Sequence, residues 1–218
     1  MRIGVLASGS GTILEAILEN EVDVSLVVTD RPCRAIEVAR SAGVPSLEIP
    51  RTSYGNDFDR DGYSRQLAAV LEDYGIELIA MAGYGTILST AIHDRFGGRI
   101  MNTHPSLLPS FPGWHAVESA LSFGVKVTGC TVHLATLEVD AGPILAQEAV
   151  KIFPGDDRER LHERIKEIER LLYPATIASF AKHLASGISG PFDLGLKVVR
   201  DGQGVLMLKR YEDCEDFR

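Results

Sequence analysis

Short apolar runs alternate with amphipathic stretches through the first hundred residues. Residues 2–7, RIGVLA, are continuously apolar but for one arginine and run into a Gly-rich turn, the pattern of a strand buried on both faces. ILEAILEN, 13–20, then repeats apolar positions at helical spacing. The same alternation predicts a strand over 22–29, a turn at DRPC, a helix over 34–42 and a third strand over 44–49. Residues 50–62, PRTSYGNDFDRDG, break the rhythm as a polar, charged loop, a candidate flap. A helix over 63–74, a strongly apolar fourth strand over 76–82, a glycine turn over 83–86, a helix over 87–96 and a fifth strand over 99–102 follow. Ile100 and Met101 are read as its last buried residues. Strands that alternate with helices at short spacing predict an α/β fold with a parallel, doubly wound sheet. Ligands of such sheets bind beyond the carboxyl ends of the strands.

The second half changes character. A helix over 114–123 precedes two long strands, 125–135 and 142–152, joined by TLEVDAG, so an antiparallel C-terminal part is expected. Residues 157–185 form a long amphipathic helix, with Asp156 and Asp157 as its cap and first-turn acid. A Gly/Ser/Pro linker over 186–191 leads to a hairpin of 194–199 and 205–208 through RDGQG, and the terminal EDCEDFR is expected to fray. The whole chain reads as one domain in three parts: 1–104, 105–190 and a hairpin tail over 191–218.

Composition narrows the classes. At 218 residues, 45% hydrophobic, the chain can bury one large core. A net charge of −8 disfavours a general nucleic-acid binder, so an anionic ligand needs a local device. Three cysteines without CxxC spacing argue against a disulfide framework or zinc site and fit a reducing compartment. The N-terminus lacks the form of a signal peptide, and no apolar run approaches the roughly 20 residues that span a bilayer. A cytoplasmic protein with no membrane partner is expected. Its oligomeric state, including a homodimer, stays open.

Two stretches carry chemistry. Ser8-Gly9-Ser10-Gly11-Thr12 lies between a strand and a helix N-terminus, where unpaired N–H groups and the helix dipole form an anion cradle. The third glycine of the dinucleotide fingerprint is missing, since Leu14 holds its place, and no GK[ST] follows. The turn therefore reads as a single-phosphate site, or as a tight turn with no ligand. In IMNTHPSLLPSFPGWH, 100–115, Asn102 and His104 follow the strand end two residues apart, a spacing that puts both side chains on one face in extended backbone. Pro105, Pro109 and Pro112 stiffen the loop behind them. An amide suits an oxyanion, and a histidine near a carboxylate suits proton transfer. The bland alternative is a pair of polar residues that satisfies loop backbone. Asp140 gains meaning only if its loop folds over His104, His133 reads equally as a satisfied strand residue, and Lys166 and Glu169 lie on what should be a solvent face. His104, His115 and His133 match no metal motif.

MNTHPSLLPSFPG followed by GVKVTGCTVHLATLEVDAGPILAQ resembles the folate-dependent formyltransferases, and the likeness runs from the first strand to about Pro174. It implies a Rossmann-like formyltransferase fold. It implies transfer of formyl from 10-formyltetrahydrofolate to the amino group of glycinamide ribonucleotide in purine synthesis, without a metal. By position it implies a catalytic set of Asn102, His104 and Asp140. Gly11, Thr12 and Ile13 match the phosphate end of the ribonucleotide site, and Lys166, Glu167, Ile168 and Glu169 a further ribonucleotide stretch, with Glu169 the ribose partner. Gly85, Thr86, Ile87 and Leu88, together with Thr136, Leu137, Glu138, Val139 and Asp140, match folate loops, which Asn102 adjoins; Arg60 matches a folate-contacting arginine only across a gap. Thr12-Ile13 replaces the family's Ser-Asn, and Gly85-Thr86 its Met-Arg. Formyltetrahydrofolate hydrolase is the nearest alternative, but it carries an additional N-terminal domain, whereas this chain is expected to start at the first strand. A methionyl-tRNA formyltransferase has Arg-Gly-Ala-Ala where this chain has Phe111-Pro112-Gly113-Trp114. A non-catalytic sugar-phosphate module would not need all three catalytic residues.

Overall fold

The computed structural model describes residues 1–188 and 190–214. They form two compact units: Met1–Asn102 with Leu134–Gly142, and Thr103–His133 with the described residues from Pro143 on. The expected division after residue 104 thus falls two residues late, and it leaves out the return of 134–142 to the first unit.

The first unit holds β1 (Ile3–Ala7), α1 (Thr12–Glu19), β2 (Val24–Thr29), α2 (Arg34–Ser41), β3 (Ser46–Glu48), α3 (Arg60–Asp73), β4 (Leu78–Ala82), α4 (Thr90–Phe96) and most of β5 (Ile100–His104). Its strands are all parallel, in the order β3-β2-β1-β4-β5. The chain winds outward from β1 to β3, then returns to lay β4 on the other side of β1. That reversal is a switch point, and ligands of such sheets bind beyond the strand ends there. β1 and β4 are buried at every position, as central strands under helices on both faces must be. Leu6, Leu26, Val28, Ile79 and Ile100 pack with Leu67, Leu71, Ile92 and Phe96 of α3 and α4. The alternate residues, Val5 and Val27 among them, are equally buried toward the opposite face.

The second unit holds α5 (Ala116–Phe123), β6 (Val127–Leu134), β7 (Ile144–Lys151), the 29-residue α6 (Arg158–Ser186), β8 (Leu196–Arg200) and β9 (Leu206–Arg210). β6 pairs antiparallel with β7, and β8 with β9. The α/β fold with a mostly parallel sheet and an antiparallel C-terminal part is what the alternation of elements predicts.

Differences from expectation have local causes. α4 begins at Thr90 rather than at 87, because the Ser89 hydroxyl accepts from the Ala91 N–H at 3.3 Å and caps it there. α3 begins at Arg60, capped by Asp59 at 2.8 Å, so Arg60 opens a helix instead of lying in the 50–62 loop. β5 extends through His104, two residues beyond the expected end. Asp157 alone caps α6, by accepting from the Arg160 N–H. Asp156 instead takes both arms of Arg164, at 2.9 and 2.7 Å, and the Phe153 N–H at 2.7 Å; the Arg164 hydrogen bonds foremost hold its carboxyl down at about 2. Of the stretch expected to fray, Glu212 and Asp213 belong to a short helical turn, Tyr211–Asp213, and 215–218 lie outside the described residues.

Candidate active site

Within the first unit, the loops at the switch point are tied together by one buried carboxylate. Asp30, just past β2, accepts from the Thr86 hydroxyl at 2.8 Å and from both arms of Arg31 at 3.0 and 3.1 Å. Burial pushes its pKa up, but the hydrogen bonds from Arg31, Thr86 and Ser8 outweigh it and hold the carboxyl below its ordinary range. The Ser8 hydroxyl also accepts from the Gly85 N–H at 2.7 Å. Thr86 is therefore buried, with its hydroxyl committed to Asp30, and the sequence signalled neither Asp30 nor this bond. Leu88 is buried as well, whereas Ile87 stays exposed at the surface of the same loop. Arg60 is exposed on α3.

The turn after β1 leads from a strand into a helix N-terminus, the order of elements its sequence predicts. Gly11 stands at the N-cap of α1 at φ 73°, with no side-chain hydrogen bond to the first turn. A Cβ there would sit 3.1 Å from the Ala35 Cα of α2, so the left-handed conformation and the close packing both require glycine. Gly9 has open space around it. Thr12 is half-buried and Ile13 buried, its side chain turned to the core while its backbone belongs to the first helical turn. Arg34, which the sequence gave no reason to single out, donates to the Ser10 carbonyl at 2.7 Å and pairs with Glu15. It holds a guanidinium against the turn.

β5 sets Asn102 and His104 on alternate positions, so their side chains leave one face of the strand. Asn102 is half-buried. The segment that carries Asp140 returns to this strand within the first unit: the Ala135 N–H donates to the Ile100 carbonyl at 2.7 Å. Its other end is closed by Gly142, where a Cβ would lie 1.8 Å from the Leu134 carbonyl oxygen. Between these ends Asp140 is held at φ 57°, a left-handed conformation that aspartate tolerates better than most residues. Thr136, Leu137, Glu138 and Val139 are all exposed. The Thr136 hydroxyl donates to the Glu138 carbonyl at 2.9 Å, which folds the loop locally.

In the second unit His104 is buried, and its Nε2 lies 2.9 Å from the Phe111 carbonyl. A carbonyl only accepts, so Nε2 carries the proton. Phe111 adopts φ 55° to aim that carbonyl. The loop is fixed from β6 and β7: the Thr131 hydroxyl donates to Ser106 O at 2.7 Å and accepts from the Leu108 N–H at 3.1 Å, while Gln147 donates to Leu108 O and to Thr131, each at 2.9 Å. The prolines limit the chain, and these bonds choose its shape.

Also in the second unit, α6 sorts the stretch 166–169 by helical phase. Ile168 enters the core, and Glu167 turns out to Arg200 at 3.3 Å. Lys166 lies 4.0 Å from Glu163. Glu169 departs from the expected solvent face: burial pushes its carboxyl up to about 7, opposed by a hydrogen bond from Thr103 and by the charges of Lys166 and Arg170. Helix propensity and charge pattern cannot reveal this, because β7, β8, β9 and α5 cover α6 only in the folded unit. Among the described residues, no three or more His, Cys, Asp or Glu side chains are grouped to hold a metal ion.

Similarity to known proteins runs through these elements. The Formyl transferase family model matches residues 1–177. The phosphoribosylglycinamide formyltransferase of Mycobacterium tuberculosis is 43% identical over 202 residues, 90% of this chain and 93% of the relative. That of Bacillus subtilis is 38% identical over 183 residues, 81% of this chain and 92% of the relative. The crystal structure of glycinamide ribonucleotide transformylase 1 from Symbiobacterium toebii superposes with a TM-score of 0.78 at 40% identity, covering 93% of this chain and 91% of its own. The chain, from its first strand to the middle of α6, belongs to the formyl transferase family.

Proposed function

We infer that this chain transfers a formyl group from a folate donor to the amino group of glycinamide ribonucleotide, a step of purine biosynthesis, with 10-formyltetrahydrofolate as the donor. The observation that carries the reading is β5 with Asn102 and His104 on one face, together with the hydrogen bond from Ala135 to Ile100 that starts the Asp140 loop on the same strand. The 43% identity to a relative of that name, over nine-tenths of the chain, supports the substrate pair.

In this reading the glycinamide nitrogen attacks the formyl carbon and its carbonyl oxygen becomes an oxyanion. The Asn102 amide and the protonated His104 ring donate to that oxygen, where preorganised donors act most strongly. The carbon–nitrogen bond to the folate then breaks, and the proton lost by the amine reaches the folate nitrogen. Asp140 carries the negative charge that stabilises the imidazolium. Gly11, Thr12 and Ile13 offer backbone N–H groups to the phosphate. Lys166 and Glu169 serve the rest of the ribonucleotide, with Glu169 accepting from the ribose hydroxyls. Ile87 and the exposed residues 136–139 serve the folate. No helix among the described residues is long and apolar enough to cross a membrane. A step of purine biosynthesis on small-molecule substrates fits a cytoplasmic setting.

The test is a formyl-transfer assay with and without glycinamide ribonucleotide. Folate release that depends on the acceptor, with formylated ribonucleotide as product, is expected. Release at the same rate without acceptor would identify a hydrolase instead.

A further inference from the structure

The turn after β1 and the start of α2 meet within the first unit, and one side chain joins them. Arg34 opens α2, and its Nη1 donates to the Ser10 carbonyl at 2.7 Å. The same nitrogen donates to Glu15 Oε2 of α1 at 3.1 Å, and Nη2 donates to Glu15 Oε1. Both hydrogens of Nη1 are thus committed, one to the turn and one to the carboxylate that fixes the guanidinium. What the first of these bonds controls follows from the peptide it holds. The Ser10 C=O and the Gly11 N–H belong to one planar trans peptide, so they point in opposite directions. With the carbonyl turned to Arg34, the Gly11 N–H points away from it. Glycine takes φ of either sign, so the peptide before Gly11 is free to turn over unless something holds it. Turned over, it would present a carbonyl oxygen in place of an N–H donor, and an anion is repelled by the first and bound by the second.

We propose that Arg34 is a positioning residue for the ribonucleotide, latching the Ser10–Gly11 peptide so that the Gly11 N–H faces the phosphate. The inference rests on the reading of this turn as the phosphate end of the ribonucleotide site. In this chain the direction of the backbone carries unusual weight. Position 13 holds a buried isoleucine, which has no side-chain donor to offer, so the phosphate depends on N–H groups of the turn and the first turn of α1. Arg34 acts through direction rather than attraction, because its charge is matched by Glu15.

The test measures kcat and KM with glycinamide ribonucleotide and with glycinamide riboside, the same acceptor without its phosphate. The variants are Arg34→Met, Arg34→Met combined with Glu15→Gln, and Thr12→Asp. Methionine removes the donor from an exposed pair that contributes little to folding. It should raise the ribonucleotide KM roughly tenfold, the scale of one hydrogen bond from a charged group. The kcat, the folate KM and kcat/KM for the riboside should keep their parent values. Arg34 and Glu15 together carry no net charge, so the double variant leaves the local charge balance of the parent and lacks only the latch. It should be as impaired as the single variant. A double variant restored to the parent KM would make the effect one of charge and overturn the proposal. An Arg34→Met effect equal on both acceptors, or absent from both, would overturn it too. Thr12→Asp places an acid in the first turn of α1, where it suits the helix and repels a phosphate. It should erase the preference for the ribonucleotide over the riboside. If it does so while Arg34→Met leaves the ribonucleotide KM unmoved, the phosphate reading stands and the latch falls. If Thr12→Asp keeps the preference, the phosphate binds elsewhere and the inference falls with that reading.

Discussion

The loop that follows His104 and the loop that carries Asp140 are built on opposite principles. The first, residues 105–113, is held along its length: Thr131 and Gln147 bind its carbonyls and an N–H from two neighbouring strands, and its Phe111 carbonyl in turn fixes the imidazole. The second, Leu134–Gly142, is held at its ends, by the Ala135 N–H on Ile100 and by the contact that only a glycine at 142 permits. Between them it exposes Leu137 and Val139, apolar side chains with no core to enter. A group that must keep one tautomer and one direction gains from the first design. A surface that must receive a large, flat molecule gains from the second, because apolar side chains on a locally folded loop can close over it. If the two loops carry the roles proposed above, rigidity is distributed by task between them, a claim that three variants can break.

The largest effect is expected at Asp140. Aspartate to asparagine keeps the shape, including the tolerated left-handed backbone, and removes the charge. Loss of a preorganised charge in a water-poor site costs roughly 3–4 kcal/mol, two to three decades in kcat. Asp140→Asn should lower kcat on that scale and leave the ribonucleotide KM nearly unchanged, with the melting temperature unaltered. A variant with normal turnover would reduce the second loop to a binding surface alone.

Thr131→Val attacks the first loop. The hydroxyl it removes serves Ser106, Leu108 and Gln147 at once, all in buried or part-buried surroundings. Leaving those groups unsatisfied should cost about 1–3 kcal/mol of stability, read as a lower denaturant midpoint. It should also reduce kcat, because the Phe111 carbonyl that fixes His104 loses its support. A variant that loses stability but keeps kcat would show that His104 does not depend on the loop behind it.

How much of this was legible in the sequence follows the range of the interactions. The parallel strands announce themselves by continuous apolar runs, and the cradle by glycines placed between strand and helix. The shared face of Asn102 and His104 was legible because the signal is local, although the strand that carries them was expected to end at 102. The start of α4 was not, since Ile87 and Leu88 continue the apolar rhythm and only the Ser89 cap stops the helix from reaching them. Asp30 and Thr86, joined across 56 positions, have no local signature. Glu169 was hidden in a helix whose charges read as solvent-facing, because what covers that helix arrives from strands far along the chain.

The smallest effect, and the sharpest test of the second loop, lies at its two apolar side chains. Leu137 is 57% exposed and Val139 48%. Replacing both by serine removes little that the unliganded protein buries, so stability should stay within about 0.5 kcal/mol of the parent. If the folate covers them, each loses in the complex the fraction of side-chain burial still available to it. Full burial of such a side chain is worth about 1.5–3 kcal/mol, and about half of its surface is already covered, so each contributes about 1 kcal/mol. That is roughly fivefold in affinity per residue. The double variant should therefore raise the folate KM about 25-fold and leave the ribonucleotide KM and the denaturant midpoint where they were. The opposite pattern, a lowered midpoint with an unmoved folate KM, would mean that Leu137 and Val139 brace the loop rather than receive the donor. The two loops would then differ in how they are held but not in what they are for.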